Sequence, residues 1–408
     1  LPPVVEIADA LMPDGPVVWG DCPDNICFTM EQGDRIVTDD AFAAAHHVSS
    51  VKISYARVAI NPMEPRAAIG DYDPFEDRYT LHSGNQFPHD IRSWLAGGVL
   101  KVPESKLRIV SPDMGGSFGL RSTCYPELAL TVWAAKQLGR PVKWVEDRCE
   151  HMMAANHARQ IECDVAIAAT RDGKIIALRG TNWTDNGAYI RTNGSIAPRN
   201  AAQFMSGAYD IEHIRLTSYS LTTNKTPTGT YRGPGRFEPD FVRERLIDLM
   251  AKDLGLDPLA VRRHNLVPTD KMPYPLATMT PFESVTSLDS GDNHALLDRC
   301  LDEFGWDEKV KLQGQCIDGC YHGVSVGCFI EGGAAGPSED ARIVLEIGGT
   351  FAVYLGSAGV GQGIETIMGQ IAGAALGVPF ERVRVHYGST ACGAEGYGSF
   401  HSRSTVMG

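Results

Sequence analysis

Residues 106–148 read KLRIVSPDMGGSFGLRSTCYPELALTVWAAKQLGRPVKWVEDR, and the order of propensities along them decides the fold class. Leu107–Val110 is short, apolar and β-branched, which predicts a strand. Gly115, Gly116 and Gly119 then mark a tight loop, and Glu127 to Leu138 is rich in the helix formers Leu, Ala, Lys and Gln. Gly139 and Pro141 stop that helix, and Pro141–Val145 returns as a strand. A glycine loop between strand and helix lets backbone N–H groups approach a ligand closely. Three readings of the loop stay open on its residues alone. Gly115-Gly116-Ser117-Phe118-Gly119 fits the G-x-S-x-G elbow of serine hydrolases, with Ser117 as nucleophile. It also fits a loop whose amides hold an anionic or oxo-bearing cofactor, and it fits a plain turn.

A second unit repeats this order near the other end. Gly359-Val360-Gly361-Gln362-Gly363 is a glycine loop, and the helix after it carries Ile364, Ile367, Met368 and Ile371 on one face. Leu376-Gly377-Val378-Pro379 ends it, as Leu138-Gly139-Arg140-Pro141 ends the first, and Val383–Tyr387 reads as a strand. Two such units predict an α+β chain of two related halves, each offering a helix N-terminus to something anionic. The loop-like stretch 268–290, rich in Pro, Thr and Ser, separates a first domain over 1–270 from a second over 285–408. A third glycine loop, Thr226 to Gly235, leads into a helix from Glu238 to Leu254 with Val242, Leu246, Leu249 and Met250 on one face. Asp172-Gly173 between the apolar runs Ile161–Ala168 and Ile175–Arg179 predicts a hairpin. A short helix is expected at Ala41–Ala45, strands at Ile53–Ile60, Ala67–Tyr72 and 322–331, and a helix at Pro88–Ala96.

The chain has 408 residues, enough for two or three domains, and a formal net charge of −13, which argues against a sequence-independent nucleic-acid binder. No apolar run reaches the ~18 residues of a membrane span. The ten cysteines include no C-x-x-C pair, so zinc or iron–sulfur ligation has little support, and free thiols in a reducing, cytoplasmic setting are expected. The first residue is Leu1, which suggests a processed chain or an excised piece. A serine hydrolase needs a histidine base and an orienting acid. Neither His386 nor His401, the histidines downstream of Ser117 considered for this, has an identifiable acid partner. The H-E-x-x-H and G-x-x-x-x-G-K-[ST] motifs are absent. What remains are glycine loops, Arg232 on one of them, Gln86 after a strand and the Ser402-Arg403-Ser404-Thr405 tail. Donors of this kind suit a bulky phosphorylated cofactor that brings its own reactive atom.

Those segments carry a resemblance. Pro62-Met63-Glu64-Pro65-Arg66, Asp113 to Gly119, Arg140 to Trp144 with Asp147-Arg148, Thr230 to Arg236, Glu244 to Asp248, Arg262 to Leu266, Gly361-Gln362-Gly363 and Ser402 to Thr405 occur in one order over nearly the whole chain. In that order the chain is similar to the molybdenum-cofactor-binding large subunit of the xanthine dehydrogenase/aldehyde oxidase (molybdenum hydroxylase) family. The resemblance implies two elongated molybdenum-cofactor-binding domains, the second incomplete at its C-terminus, and outweighs the hydrolase reading. It implies that Gln86 hydrogen-bonds an oxo group of the metal and that Phe118, with Gly115, Gly116, Ser117 and Gly119, turns backbone amides toward the metal's apical oxygen. Arg232, Ser399 and Phe400 would close around the metal. Gly361, Gln362, Gly363, Thr366, Gln370, Ser402, Arg403, Ser404 and Thr405 would lie near the pterin and its phosphates. No side chain of the protein would ligate the metal.

The resemblance further implies oxidative hydroxylation of an aldehyde or N-heterocycle carbon with water as the oxygen source. The pterin would be the molybdopterin cytosine dinucleotide form, and [2Fe–2S] clusters and FAD would sit on partner subunits. Relative to that family, the chain starts after a smaller N-terminal α/β domain and stops before the segment that carries the catalytic glutamate. A separate C-terminal large-subunit piece is therefore an expected partner, and the chain alone is expected to be inactive. Ser389 departs from a usual Gly-Asp-Thr pattern, Ser122 stands about where xanthine-type enzymes carry a substrate-binding glutamate, and Gly233 stands where carbon monoxide dehydrogenases carry a cysteine. Purine and carbon monoxide are thus poor candidate substrates. A non-catalytic scaffold subunit or degenerate paralogue is the other reading.

Overall fold

The computed structural model describes residues 2–191, 193–281, 286–333 and 336–408. The opening stretch folds as its propensities require. Leu107–Val110 is the edge strand β6 of a four-stranded sheet in the order β6-β5-β4-β7, with β4 at Ala67–Asp73, β5 at Arg78–His82 and β7 at Val142–Val145. β5 and β6 run parallel, and β4 runs antiparallel to both β5 and β7. The helix Pro126–Leu138 starts on Pro126 and ends at Gly139, whose φ of 60° closes it with a left-handed cap. It packs on β4 at close range, because a Cβ on Gly70 would stand 2.4 Å from the backbone of Thr131. Leu81, Ile109, Leu95 and Val132 form the core between them.

A six-stranded sheet makes the second layer. Its order is Met279–Thr280, β1 (Ile26–Gly33), β11 (His213–Leu221), β10 (Ile175–Asp185), β9 (Ile161–Ala169) and β2 (His47–Ser54). β9 and β10 form the hairpin expected at Asp172-Gly173, with Gly173 at φ 81° and Thr170 N–H donating to Lys174 O at 2.9 Å. The helix Phe237–Leu254 buries Val242, Leu246 and Met250 against this sheet; Ile247 joins them, while Leu249 is only half-buried. Gly255 caps it at φ 69° and Asp257 caps the next helix, Pro258–Asn265.

The repeat near the C-terminus is present in order but not in pairing. Ala341–Leu345, Phe351–Leu355 and Val383–His386 form a three-stranded sheet, with the helix Ile364–Leu376 between the last two strands in sequence. Here the flanking strands pair directly and in parallel, whereas β6 and β7 are separated by β5 and β4.

Several local expectations shift. The helix expected at Ala41–Ala45 spans Arg35–Ala44, because the Asp34 side chain accepts from Ile36 and Val37 N–H and starts it earlier than Ala41. The run Ile53–Ile60 breaks into the end of β2 and a separate strand β3, Arg57–Ala59, which pairs with β8, His157–Arg159. The helix at Pro88 is α-helical to Ser93 and continues as a π-helix over Trp94–Leu100. Among the described residues the segment 322–331 joins no sheet and forms no regular element. Its burial alternates as a strand's does, with Val326, Cys328 and Ile330 against the main core and Phe329 outside. The period-2 pattern there records a core contact, not a ladder: among the described residues no strand pairs with it.

Candidate functional site

The loop after β6 turns on three left-handed residues, Gly116 (φ 101°), Phe118 (φ 55°) and Gly119 (φ 105°). Gly119 is fixed by crowding as well as by φ, because a Cβ there would stand 2.4 Å from Thr230 O. That contact seats the loop 226–235 alongside: Arg232 N–H donates to Phe118 O at 2.9 Å, and the Ser122 and Thr230 hydroxyls lie 2.9 Å apart. The Asn193 amide donates to both hydroxyls, at 2.7 and 2.9 Å.

Gln86, just beyond β5, is buried among three segments. Its Oε1 accepts from Ser117 Oγ at 2.5 Å and Gly119 N–H at 3.0 Å, and its Nε2 donates to Ser399 O at 2.6 Å. Ser399 N–H returns a bond to Gln86 O at 2.8 Å. An amide nitrogen carries two hydrogens, so one donor of Gln86 is left over after Ser399. Ser117 is 1% exposed and its hydroxyl donates to an amide oxygen, which is no base, so the nucleophile reading has no geometric support.

The second glycine loop abuts the first. The Tyr387 hydroxyl donates to Asp113 at 2.7 Å, and burial together with that carboxylate pushes its pKa up to about 12. Gly361 (φ 99°) faces Met114 O, and Gly363 (φ 78°) leads into the helix Ile364–Leu376. The Gln362 side chain folds back onto its own loop, accepting from Val360 N–H and donating to Ala358 O. Ser399 Oγ donates to Ala358 O at 2.6 Å and accepts from Ala358 N–H at 2.9 Å, joining this loop to the C-terminal turn. Thr366 and Gln370 lie one turn apart on the exposed face of the helix.

The C-terminal turn is built on His401 (φ 52°) and Ser402 (φ 55°). The Phe400 ring sits 5.1 Å from Phe87 and 5.9 Å from Tyr397. Ser404 Oγ lies 3.2 Å from Ser357 Oγ and 3.3 Å from Ser399 Oγ, while Thr405 is exposed. Arg403 does not face outward as a phosphate donor would. Its guanidinium is buried against Glu339 and donates to Ser338 O at 2.7 Å and Gly398 O at 3.1 Å. Burial, with Arg236 nearby, holds the His401 pKa down to about 4.

The structure thus brings Gln86, Ser117, Phe118, Gly119, Arg232 and Ser399 together, sets Gly361 and Gln362 beside them, and leaves Thr366 and Gln370 farther along a helix. Sequence reasoning assigned no role to Glu64 or Arg121. The Glu64 carboxylate accepts from Gly115 N–H, and Arg121 Nη2 donates to Glu64 O at 2.8 Å and Pro65 O at 3.2 Å. Behind them Arg66 pairs with buried Glu146, which also meets His151 Nδ1 at 2.8 Å. The signal was present, since Glu64 and Arg66 stand in a quoted motif, but a carboxylate that holds a loop amide has no spacing rule.

Among the described residues no group of three or more His, Cys, Asp or Glu side chains is placed to hold a metal ion. The converging loops offer backbone amides, the amide side chain of Gln86 with those of Asn193 and Gln362 beside it, hydroxyls and Arg232, which suits a group that brings its own metal ligands. Residues 18–266 match the family described as "Molybdopterin cofactor-binding domain", and residues 299–408 match a second family of the same description. The chain is 34% identical over 440 residues to the carbon monoxide dehydrogenase large chain of Hydrogenophaga pseudoflava, covering 100% of this chain and 54% of that one. It is 34% identical over 374 residues to the 6-hydroxypseudooxynicotine dehydrogenase complex subunit gamma of Paenarthrobacter nicotinovorans, covering 90% and 46%. The chain belongs to the molybdenum hydroxylase large-subunit family. Quinoline 2-oxidoreductase from Pseudomonas putida 86 superposes on this large-subunit chain with a TM-score of 0.87 at 29% identity, over 99% of this chain and 52% of that one. The molybdenum hydroxylase chain therefore spans about half the length of the curated relatives it matches.

Proposed function

We propose that this chain is the cofactor-bearing part of a molybdenum hydroxylase that oxidises an N-heterocycle or aldehyde carbon, with water as the oxygen source. The observation that carries the reading is the meeting of Gln86, the Phe118 loop and the Arg232 loop at one place, each from a distant segment. When bound, a molybdenum–pterin cofactor would supply the two-electron oxidation. The chain's own residues would hold and orient it: Gln86 through its remaining amide hydrogen, the 115–119 loop through backbone N–H groups, Arg232 as a nearby cation. Gly361 and Gln362 would meet the pterin side. Ser399 and Phe400 would close around the metal, and Thr366, Gln370 and the turn Ser402–Thr405 would lie toward the phosphates of a cytosine dinucleotide form, with Arg403 bracing that turn from inside. The two-domain division at 268–290, partner subunits bearing [2Fe–2S] and FAD, a further large-subunit segment with the base, and a cytoplasmic setting belong to the same proposal.

The names of relatives that act on quinoline and on a nicotine derivative favour an N-heterocycle. Gly233 in place of a cysteine argues against carbon monoxide. Ser122, held between Thr230 and Asn193, offers no anionic anchor for a purine. The test is to isolate the chain with its natural partners and assay metal and released nucleotide. About one molybdenum and one CMP per chain are expected. A fully assembled complex with neither would overturn the reading in favour of a scaffold subunit.

A further inference from the structure

Arg159 and Gln160 are consecutive left-handed residues, at φ 66° and 58°. Neither is glycine, so the pair is strained, and such strain persists only where the surroundings enforce it. The bend ends β8 before β9 begins at Ile161. It also delivers Arg159 to the loop 226–235, whose start is already tied to β8: His157 N–H donates to Pro227 O and Gly229 N–H to His157 O.

The Arg159 guanidinium gathers that loop. Its Nη2 donates to Arg232 O at 2.8 Å, and its Nη1 to Gly233 O at 3.2 Å and to Glu238 Oε1 at 3.0 Å. The Tyr231 and Phe237 rings lie 5.0 and 5.1 Å from its central carbon. Glu238 is fully buried, so the anchor is fixed rather than a mobile surface partner. On its other side Arg232 gives its N–H to Phe118 O. The peptide units flanking Arg232 are thus gripped from both sides, the N–H by the Phe118 loop and the Arg232 carbonyl by Arg159, which also holds the next carbonyl, that of Gly233. The Arg232 side chain is exposed and makes no ion pair among the described residues, so its direction depends on its backbone.

We propose that Arg159 is a positioning residue for Arg232: its fork onto the Arg232 and Gly233 carbonyls fixes where the Arg232 side chain enters the site. This rests on the proposed function of the Arg232 loop. The planar five-donor fork is required, because a lysine ammonium on a flexible stem keeps the charge but not the geometry.

Two variants test it in the assembled protein. Arg159→Gly removes the fork and accepts the left-handed conformation without backbone strain, but it leaves buried Glu238 unpaired, so its Tm is measured beside that of the lysine variant to separate lost folding stability from lost positioning. Arg159→Lys keeps the charge opposite Glu238. Amide exchange over 229–236 is expected to rise in both, with the 161–185 hairpin unchanged as internal control. Molybdenum content should hold, and kcat with quinoline or benzaldehyde should fall on the order of 10²-fold with KM little moved, as for a misplacement of about 1 Å. Unchanged exchange over 229–236 would overturn the proposal, as would full rescue by lysine. Looser loop exchange with intact kcat would overturn the link from Arg159 to the site. Failure of the functional reading itself would look different, as wild-type protein lacking molybdenum and pterin.

Discussion

Gly119 shows how little room the site leaves at single positions. A methyl group there would meet Thr230 O at 2.4 Å, and φ 105° is a conformation that L residues avoid. Gly119→Ala is expected to cost about 1–3 kcal/mol in backbone strain alone and to separate the Phe118 and Arg232 loops. Thermal unfolding together with molybdenum content would read both effects, and a variant with wild-type Tm and full metal would refute the account. The sequence makes Gly119 legible as a loop glycine, but its partner is 111 positions away, and no local pattern names it. His89 is a second such residue. Both ring nitrogens are buried and have no hydrogen-bond partner among the described residues. Burial first, then the Arg92 charge, holds its pKa below 6.5, while Glu395, Glu339 and Glu104 pull weakly upward. With the folded pKa depressed, the unfolded chain takes up a proton first as pH falls. The stability tied to neutral His89 is complete above about pH 6.5 and is lost as pH drops toward the lower folded value. His89→Leu should therefore flatten the fall of Tm between pH 7.5 and 5. His157 and His401 shift in the same direction, so the slope should shrink without vanishing. An unchanged slope would count against it.

At the scale of elements, local chemistry was readable where it is self-contained. The helix Pro126–Leu138 begins on a proline and ends on a left-handed glycine, both visible in sequence. The Asp-Gly hairpin is likewise local. The segment 322–331 was not readable, because alternation records burial and a strand also needs an edge to pair with. The C-terminal turn makes the same point with a charge. Ser402-Arg403-Ser404-Thr405 suggested a phosphate site by composition, yet Arg403 and Glu339 are both fully buried and paired. Glu339 also accepts from Ser357 Oγ at 2.8 Å and Tyr397 N–H at 3.1 Å, so one carboxylate straps the turn to the end of the strand Phe351–Leu355. Breaking a buried pair from one side typically costs about 3–5 kcal/mol. Arg403→Met and Glu339→Gln should each lower unfolding stability by that order, and the double variant by less than the sum of the singles. A stable Arg403→Met protein that sheds its cofactor would restore the phosphate-donor role.

At the scale of the whole molecule, the decisive question is where the proton goes. The proposed carbon hydroxylation from water needs a base within about 2.6–3.2 Å of the proton it removes. Three glutamates near the converging loops are otherwise engaged. Glu64 holds Gly115 N–H and lies 3.3 Å from Arg121, Glu331 pairs with Arg236 and lies 3.2 Å from His401, and Glu395 pairs with Arg92 at 3.0 Å. The relatives are about twice as long as this chain, leaving ample sequence in them to carry a base that these residues do not provide. Loss of general-base catalysis is typically worth about 10²–10⁴-fold. The 408-residue chain, even loaded with cofactor, should therefore reduce no dye when given quinoline or benzaldehyde. On the proposed function, turnover should appear on adding a further large-subunit segment that carries the base, together with an iron–sulfur partner. The measurement is dye reduction by the purified chain, with molybdenum content assayed on the same sample. Sustained turnover by that chain would defeat the prediction. Loss of the activity in Glu331→Gln or Glu395→Gln would then identify which carboxylate leaves its arginine to act as the base.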